Sequence, residues 1–176
     1  MNNKSEIVVK AFGISDVGKL REVNEDTILC NDKLGLYILA DGMGGHASGK
    51  VASERAVDTI RDYLSRWRYE SDFVWPFDPD PQVSDAINHV SIALRVANVR
   101  VYNEAQRSDE LIGMGTTGLI LMIEDRKATV GHVGDSRCYG YNEDGLRQIT
   151  EDHSLVNQLI RAFNLTESEA IEKAGK

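Results

Sequence analysis

The chain is poor in the residues that define several protein classes. Cysteine occurs twice in 176 residues, at Cys30 and Cys138. Two cysteines so far apart form neither a CxxC metal or redox pair nor a disulfide scaffold. Each is expected to be a small buried side chain. Proline occurs three times, all between Trp75 and Pro81, which predicts a loop between helices. No apolar run approaches the roughly 18–20 residues that a membrane helix needs. No signal-peptide core follows the polar start Met1-Asn2-Asn3-Lys4-Ser5-Glu6, so a cytoplasmic location is expected. Positive charge is in deficit, 20 basic against 28 acidic residues for a net charge of −8. That balance argues against nucleic acid as a partner. Neither glycine-rich nucleotide fingerprint is present, and no EF-hand spacing supports a calcium-binding module.

What remains is a chain with 41% hydrophobic residues, enough for one globular domain with a real core. Residues 48 to 67 have a helical period, with Val57, Ile60, Leu64 and Trp67 on one face and Ser48 as the expected N-cap. Residues 82 to 106 repeat it through Ile87, Val90, Leu94 and Val101. Strands are expected at Ile7–Phe12, Thr27–Cys30 and Leu36–Ala40. Hairpins are expected at Thr116–Ile123 with Ala128–Val133, and at Cys138–Tyr141 with Leu146–Ile149. Two helices close the chain, Ser154–Ala162 and Glu167–Ala174, the second opened by a Thr166/Glu169 capping box. Hairpins rather than helical crossovers mean antiparallel pairing. The expected class is therefore α+β.

The chemistry gathers in five clusters: residues 15–26, 40–46, 113–117, 131–137 and 150–154. Asp41 ends the apolar strand Leu36–Ala40 and is followed by Gly42, Gly44 and Gly45. Glycines let a backbone approach a ligand closely. A carboxylate and an exposed carbonyl together are ligands for a hard cation. Asp135 repeats the device: strand, glycine, aspartate, polar turn. With no thiolate or imidazole cluster, the pattern points to Mg²⁺ or Mn²⁺ rather than zinc. Each feature has a bland alternative. Asp-Gly is a common turn, Arg21 suits a surface, and Glu25-Asp26 suits a solvated corner.

The ordered set of stretches SDVGKLREVNED (15–26), LADGMGGHASGKVAS (39–53), GMGTT (113–117), HVGDSR (132–137) and LRQITEDHSLV (146–156) resembles the PPM (PP2C-type) family of metal-dependent protein serine/threonine phosphatases in its bacterial form. The resemblance runs over essentially the whole chain from Gly13. It implies an α/β/β/α sandwich of two antiparallel sheets flanked by helices. It also implies hydrolysis of phosphoserine and phosphothreonine by a metal-bound hydroxide at a two-metal centre of Mn²⁺ or Mg²⁺, with a third ion at Asp135. By the same resemblance Asp41 bridges the two ions and Gly42 offers its carbonyl. Arg21 grips the substrate phosphate, and Glu25 and Asp26 act from beside the centre through water. Phosphoproteins and a cognate serine/threonine kinase are the implied partners.

Two departures from the pattern stand out. Eukaryotic members carry a histidine two residues after the bridging aspartate, where this chain has Met43. His46, three residues further on, is not assigned as the general acid. Nothing after Asp152 resembles the family's Ser-Asp-Gly and Asp-Asn motifs. Residues 1–176 are therefore expected to be a single phosphatase domain incomplete at its C-terminus, about the first two-thirds to three-quarters of it. The competing expectation is a non-catalytic pseudophosphatase or fragment that binds phosphoproteins.

Overall fold

Leu36, Ile38 and Ala40 alternate with Tyr37 and Leu39, and the alternation becomes a strand with one buried face. In the computed structural model, which describes residues 8–44 and 48–175, this strand (β2, Leu36–Ala40) lies inside a four-stranded antiparallel sheet. Its neighbours are β1 (Thr27–Asn31) and β5 (Gly118–Glu124), and β6 (Lys127–Val133) completes the order β1-β2-β5-β6. Two short strands, β3 (Gly42–Met43) and β4 (Gly115–Thr116), pair as a separate ribbon. A second ribbon joins β7 (Tyr139–Asn142) to β8 (Gly145–Gln148). The α+β class and the antiparallel pairing are as expected.

Two long helices, α1 (Ser48–Tyr69) and α2 (Asp85–Ala105), cover one face of the sheet. Their buried stripes, Ala52, Ala56, Ile60 and Leu64 on α1 and Val90, Ala93, Ala97 and Val101 on α2, meet Leu36, Ile38, Ile120 and Met122. Register places Ile28, Cys30, Tyr37, Leu39, Leu119 and Leu121 together on the opposite face. The N-terminal segment crosses that face. A Cβ on Gly13 would meet Ile28 Cγ2 at 3.0 Å and Cys30 Sγ at 3.1 Å.

The loop between the helices is anchored by aromatic rings, not merely by proline. His89 of α2 is 1% exposed and stacks between Trp67 and Trp75, with centroids 3.9 Å away on each side. Tyr63 closes the cluster, its hydroxyl 3.1 Å from His89 Nδ1. Burial pushes the His89 imidazole down to about 4. The prolines therefore sit in a segment tied to the core through Phe73, Trp75 and Phe77.

The last elements, α3 (Leu155–Phe163) and α4 (Glu167–Ala174), pack on each other. Ser154 caps α3, and the Thr166/Glu169 capping box is present. Asn164 ends α3 in the left-handed region at φ 51°, where its short polar side chain is tolerated.

Several sequence expectations need correction. Val8–Phe12 forms no strand, because no neighbouring strand pairs with it, and Phe12 is left exposed; Ile7 lies outside the described residues. Ser48 is the first helical residue of α1 rather than its cap. Ile87 is exposed near the start of α2, where Ser84 supplies the N-cap. Cys30 is exposed and Cys138 half-buried, because neither side chain points into the α1/α2 core. The first hairpin turns on Asp125 and Arg126 alone, both at positive φ, so its strands run one residue further towards the tip on each side.

Candidate functional site

Asp41 follows the last residue of β2, and Gly42 opens β3. The chain can pass here only without a side chain. A Cβ on Gly42 would lie 2.1 Å from the Gly49 carbonyl oxygen and 2.7 Å from that of Glu25. The start of α1, the 24–26 loop and β3 are thus pressed against one another at backbone distance.

That compression brings the acidic pair of the first cluster to the strand end of the second. The Asp26 carboxylate lies near enough to Asp41 to act on its carboxyl group, and it accepts a hydrogen bond from Ser15 Oγ at 3.0 Å. Asn24 organises the turn. Its Oδ1 accepts from the Asp26 N–H at 3.0 Å, and its Nδ2 donates to Ser15 Oγ at 2.7 Å. Lys50 of α1 donates to the Asp26 carbonyl at 2.9 Å, and Ser53 donates to the Glu25 carbonyl.

Glu25 carries an unsatisfied atom. Its side chain is 12% exposed and Oε2 faces Arg21 at 3.7 Å, while Oε1 is buried with no hydrogen-bond partner among the described residues. Buried polar atoms are ordinarily paired, so this one marks a place for a donor or a bound water. The Arg21 side chain is 77% exposed, and its guanidinium can reach into the cavity or out to solvent. Asp16, Arg21, Asn24, Glu25, Asp26, Asp41 and Gly42 line one polar cavity of about 160 Å³.

Electrostatics agree with the packing. The Asp41 carboxyl is pushed above the usual carboxylate range, first by loss of water and then by the charges of Asp26 and Asp135, with Arg21 opposing. Two further carboxylates thus act on Asp41 through their charge. A cation would relieve the repulsion and fits this donor chemistry. Among the described residues, however, no three Asp, Glu, His or Cys side chains converge closely enough to hold an ion by themselves. Asp26 and Asp41, with Gly42 in the same cavity lining, are a partial set.

The Asp41 backbone is held by β4 and by the residue that follows it. Its N–H donates to Thr117 Oγ1 at 2.9 Å, and its carbonyl accepts from the Thr117 N–H at 2.9 Å and from Thr116 Oγ1 at 3.0 Å. Beyond Asp135, Arg137 grips Asp152 through a bidentate contact. That pair holds the Asp152 carboxyl below its ordinary range. His132 lies against His153, with ring centroids 4.5 Å apart, and burial lowers its imidazole.

The structure therefore brings Arg21, Glu25, Asp26, Asp41 and Gly42 to one cavity and places Asp135 near enough to act on Asp41. His46 lies outside the described residues. Sequence reasoning missed Ser15, Asn24, Lys50, Ser53 and Thr117 as supporting residues. Their signal was only adjacency to the acidic and glycine-rich clusters.

Comparison with known proteins defines the class. Residues 20–174 match the family model for protein phosphatase 2C. The chain is 34% identical over 165 residues to a serine/threonine phosphatase, stp, of Listeria innocua, an alignment covering 92% of this chain and 62% of that one. It is 35% identical over 164 residues to protein phosphatase PhpP of Streptococcus pneumoniae, covering 89% of this chain and 60% of that one. Among solved structures, the serine/threonine phosphatase PstP/Ppp of Mycobacterium tuberculosis superposes with a TM-score of 0.68 at 31% identity, covering 89% of this chain and 60% of that one. The PstP catalytic domain in complex with two manganese ions superposes equally, with a TM-score of 0.68.

The chain belongs to the protein phosphatase 2C (PPM) family. It spans about 60% of the length of the relatives it matches. Among the described residues, no helix is long and apolar enough to cross a membrane.

Proposed function

We propose that this chain is a single phosphatase domain, or the greater part of one, which acts on phosphoserine and phosphothreonine in proteins with divalent cations as cofactor. One observation carries the reading: in a chain of this family, Arg21, Glu25, Asp26, Asp41 and Gly42 line one polar cavity. Asp41 and the Gly42 carbonyl would hold Mn²⁺ or Mg²⁺, two ions by analogy with the manganese-bound PstP domain, and Asp135 would hold a third. Bound there, such ions supply Lewis acidity towards water and the phosphoryl oxygens.

The chain's own groups do the rest. Asp41 concentrates negative charge where cations bind, and Gly42, the next residue along the chain, would add its carbonyl as a neutral oxygen donor. Arg21, exposed and only loosely tied to Glu25, is free to form a bidentate fork to two phosphate oxygens. Asp26 and Glu25 orient water at the cavity wall, and Glu25 Oε1, which has no hydrogen-bond partner among the described residues, is the acceptor for it. The opposing enzyme is a serine/threonine kinase, and the site of action is the cytoplasm.

Manganese-dependent hydrolysis of a phosphothreonine peptide by the full chain tests the reading, with Asp41→Ala as control and circular dichroism on the same samples. Turnover that needs both Mn²⁺ and Asp41 is expected. A second reading, a phosphoprotein-binding module without turnover, is favoured by the partial donor set. A folded chain that binds the peptide through Arg21 and never hydrolyses it would replace the first reading with the second.

A further inference from the structure

Antiparallel pairing gives residue 117 a particular place. The order β1-β2-β5-β6 puts β5 between β2 and β6, running opposite to both. The start of β5 therefore lies beside the ends of both neighbours. Leu39 pairs with Leu119, and Gly118 pairs with Val133. Asp41 leaves the end of β2 on one side, and the Gly134-Asp135-Ser136 turn leaves the end of β6 on the other.

Thr117 touches both. Its hydroxyl accepts from the Asp41 N–H at 2.9 Å and shares a 2.8 Å hydrogen bond with Ser136 Oγ. Its own N–H donates to the Asp41 carbonyl at 2.9 Å. Its methyl lies against Gly134: a Cβ there would come within 2.7 Å of Thr117 Cγ2. The residue is 4% exposed, so water does not substitute for these bonds. A hydroxyl has one donor hydrogen and two lone pairs, so one oxygen can serve both neighbours.

We propose that Thr117 is a positioning residue that bolts the Asp41 strand end to the Asp135 turn and sets the spacing of the two carboxylates for cations. The proposal rests on the metal-site reading above. Thr117 itself touches neither cation nor phosphate. Groups that orient metal ligands typically change affinity 10–100-fold when removed.

The test uses the full chain, Mn²⁺ as probe, and the variants Thr117→Val, Thr117→Ser and Ser136→Ala. Valine keeps the shape and the methyl contact but deletes the hydroxyl; serine keeps the hydroxyl. Mn²⁺ affinity is read by electron paramagnetic resonance, and protection of the Asp41 amide by hydrogen exchange. Thr117→Val is expected to weaken Mn²⁺ binding about 10–100-fold and to expose the Asp41 amide. Thr117→Ser is expected to preserve both. Ser136→Ala is expected to weaken Mn²⁺ binding while leaving the Asp41 amide protected.

Unchanged Mn²⁺ affinity in Thr117→Val, or equal losses in the serine and valine variants, would overturn the proposal. Should Thr117→Val fail to fold, Ser136→Ala decides, and an unaltered affinity there overturns it. Equal Mn²⁺ affinity in wild type and Asp41→Ala would instead refute the metal-site reading. The amide readout then judges the bolt alone: protection lost with valine and kept with serine supports it, and any other pattern overturns it.

Discussion

Acidification should destabilise this chain through one buried imidazole. His89 lies between Trp67 and Trp75, with its Nδ1 held by the Tyr63 hydroxyl. Burial lowers its folded-state pKa from 6.5 to about 4, with the Asp85 charge opposing. A depressed folded-state pKa means that the unfolded chain takes up the proton first. The stabilising contribution is complete above pH 6.5 and is lost as pH falls towards 4. Two and a half pKa units correspond to about 3.4 kcal/mol, of which about 2.5 kcal/mol is gone by pH 4.5. Against a typical domain stability of about 5–15 kcal/mol, that is a large fraction. Urea unfolding followed by tryptophan fluorescence between pH 7.5 and 4.5 measures it directly. His132 is also lowered by burial, so the comparison must be made with His89→Phe, which removes this titration alone. The variant should show a pH dependence flatter by about 2.5 kcal/mol over that range. If His89→Phe loses as much stability as wild type on acidification, or if the His89 ring titrates near 6.5 by NMR, the reasoning is refuted.

Asp41→Asn should stabilise the metal-free chain slightly, because it removes a charge facing Asp26 and Asp135, a repulsion that solvent screens at this exposed residue. The same variant should abolish any rise in melting temperature on adding Mn²⁺; a calorimetric scan with and without the metal checks both. Arg21→Ala should leave the melting temperature unchanged, since the side chain is 77% exposed. It should weaken phosphopeptide binding about 10–100-fold, as expected when a charge-assisted hydrogen bond is lost, and a binding titration reads it. Gly42→Ala should destabilise the fold by about 3 kcal/mol, because the added carbon would press on two backbone carbonyls; denaturant melts would show it. An alanine variant as stable as wild type would mean that this approach is looser than described.

Legibility of the fold followed the range of the forces. The α1 stripe of Val57, Ile60 and Leu64 and the alternation in β2 were readable because helix and strand periods are local. The capping box at Thr166 and Glu169 was readable for the same reason. The segment 8–12 has the apolar, valine-containing composition of a strand and forms none, because a strand exists only where another strand pairs with it. The anchoring of the proline-containing loop was hidden too. Nothing in Trp67, Trp75 and His89 as separate residues announces that they stack.

The site divides along the same line. The sequence by itself determined the family and the residue types on offer: a carboxylate at each of two strand ends, an arginine, an acidic pair, and glycine where backbone must meet backbone. Those follow from chemistry carried in short motifs. Only the tertiary structure decided that the Asp26 charge bears on Asp41, that Glu25 Oε1 has no hydrogen-bond partner among the described residues, and that Thr117 lies between the two strand ends. Residues 41, 117 and 136 are distant in sequence, and nothing short of antiparallel sheet register places one hydroxyl against both neighbours.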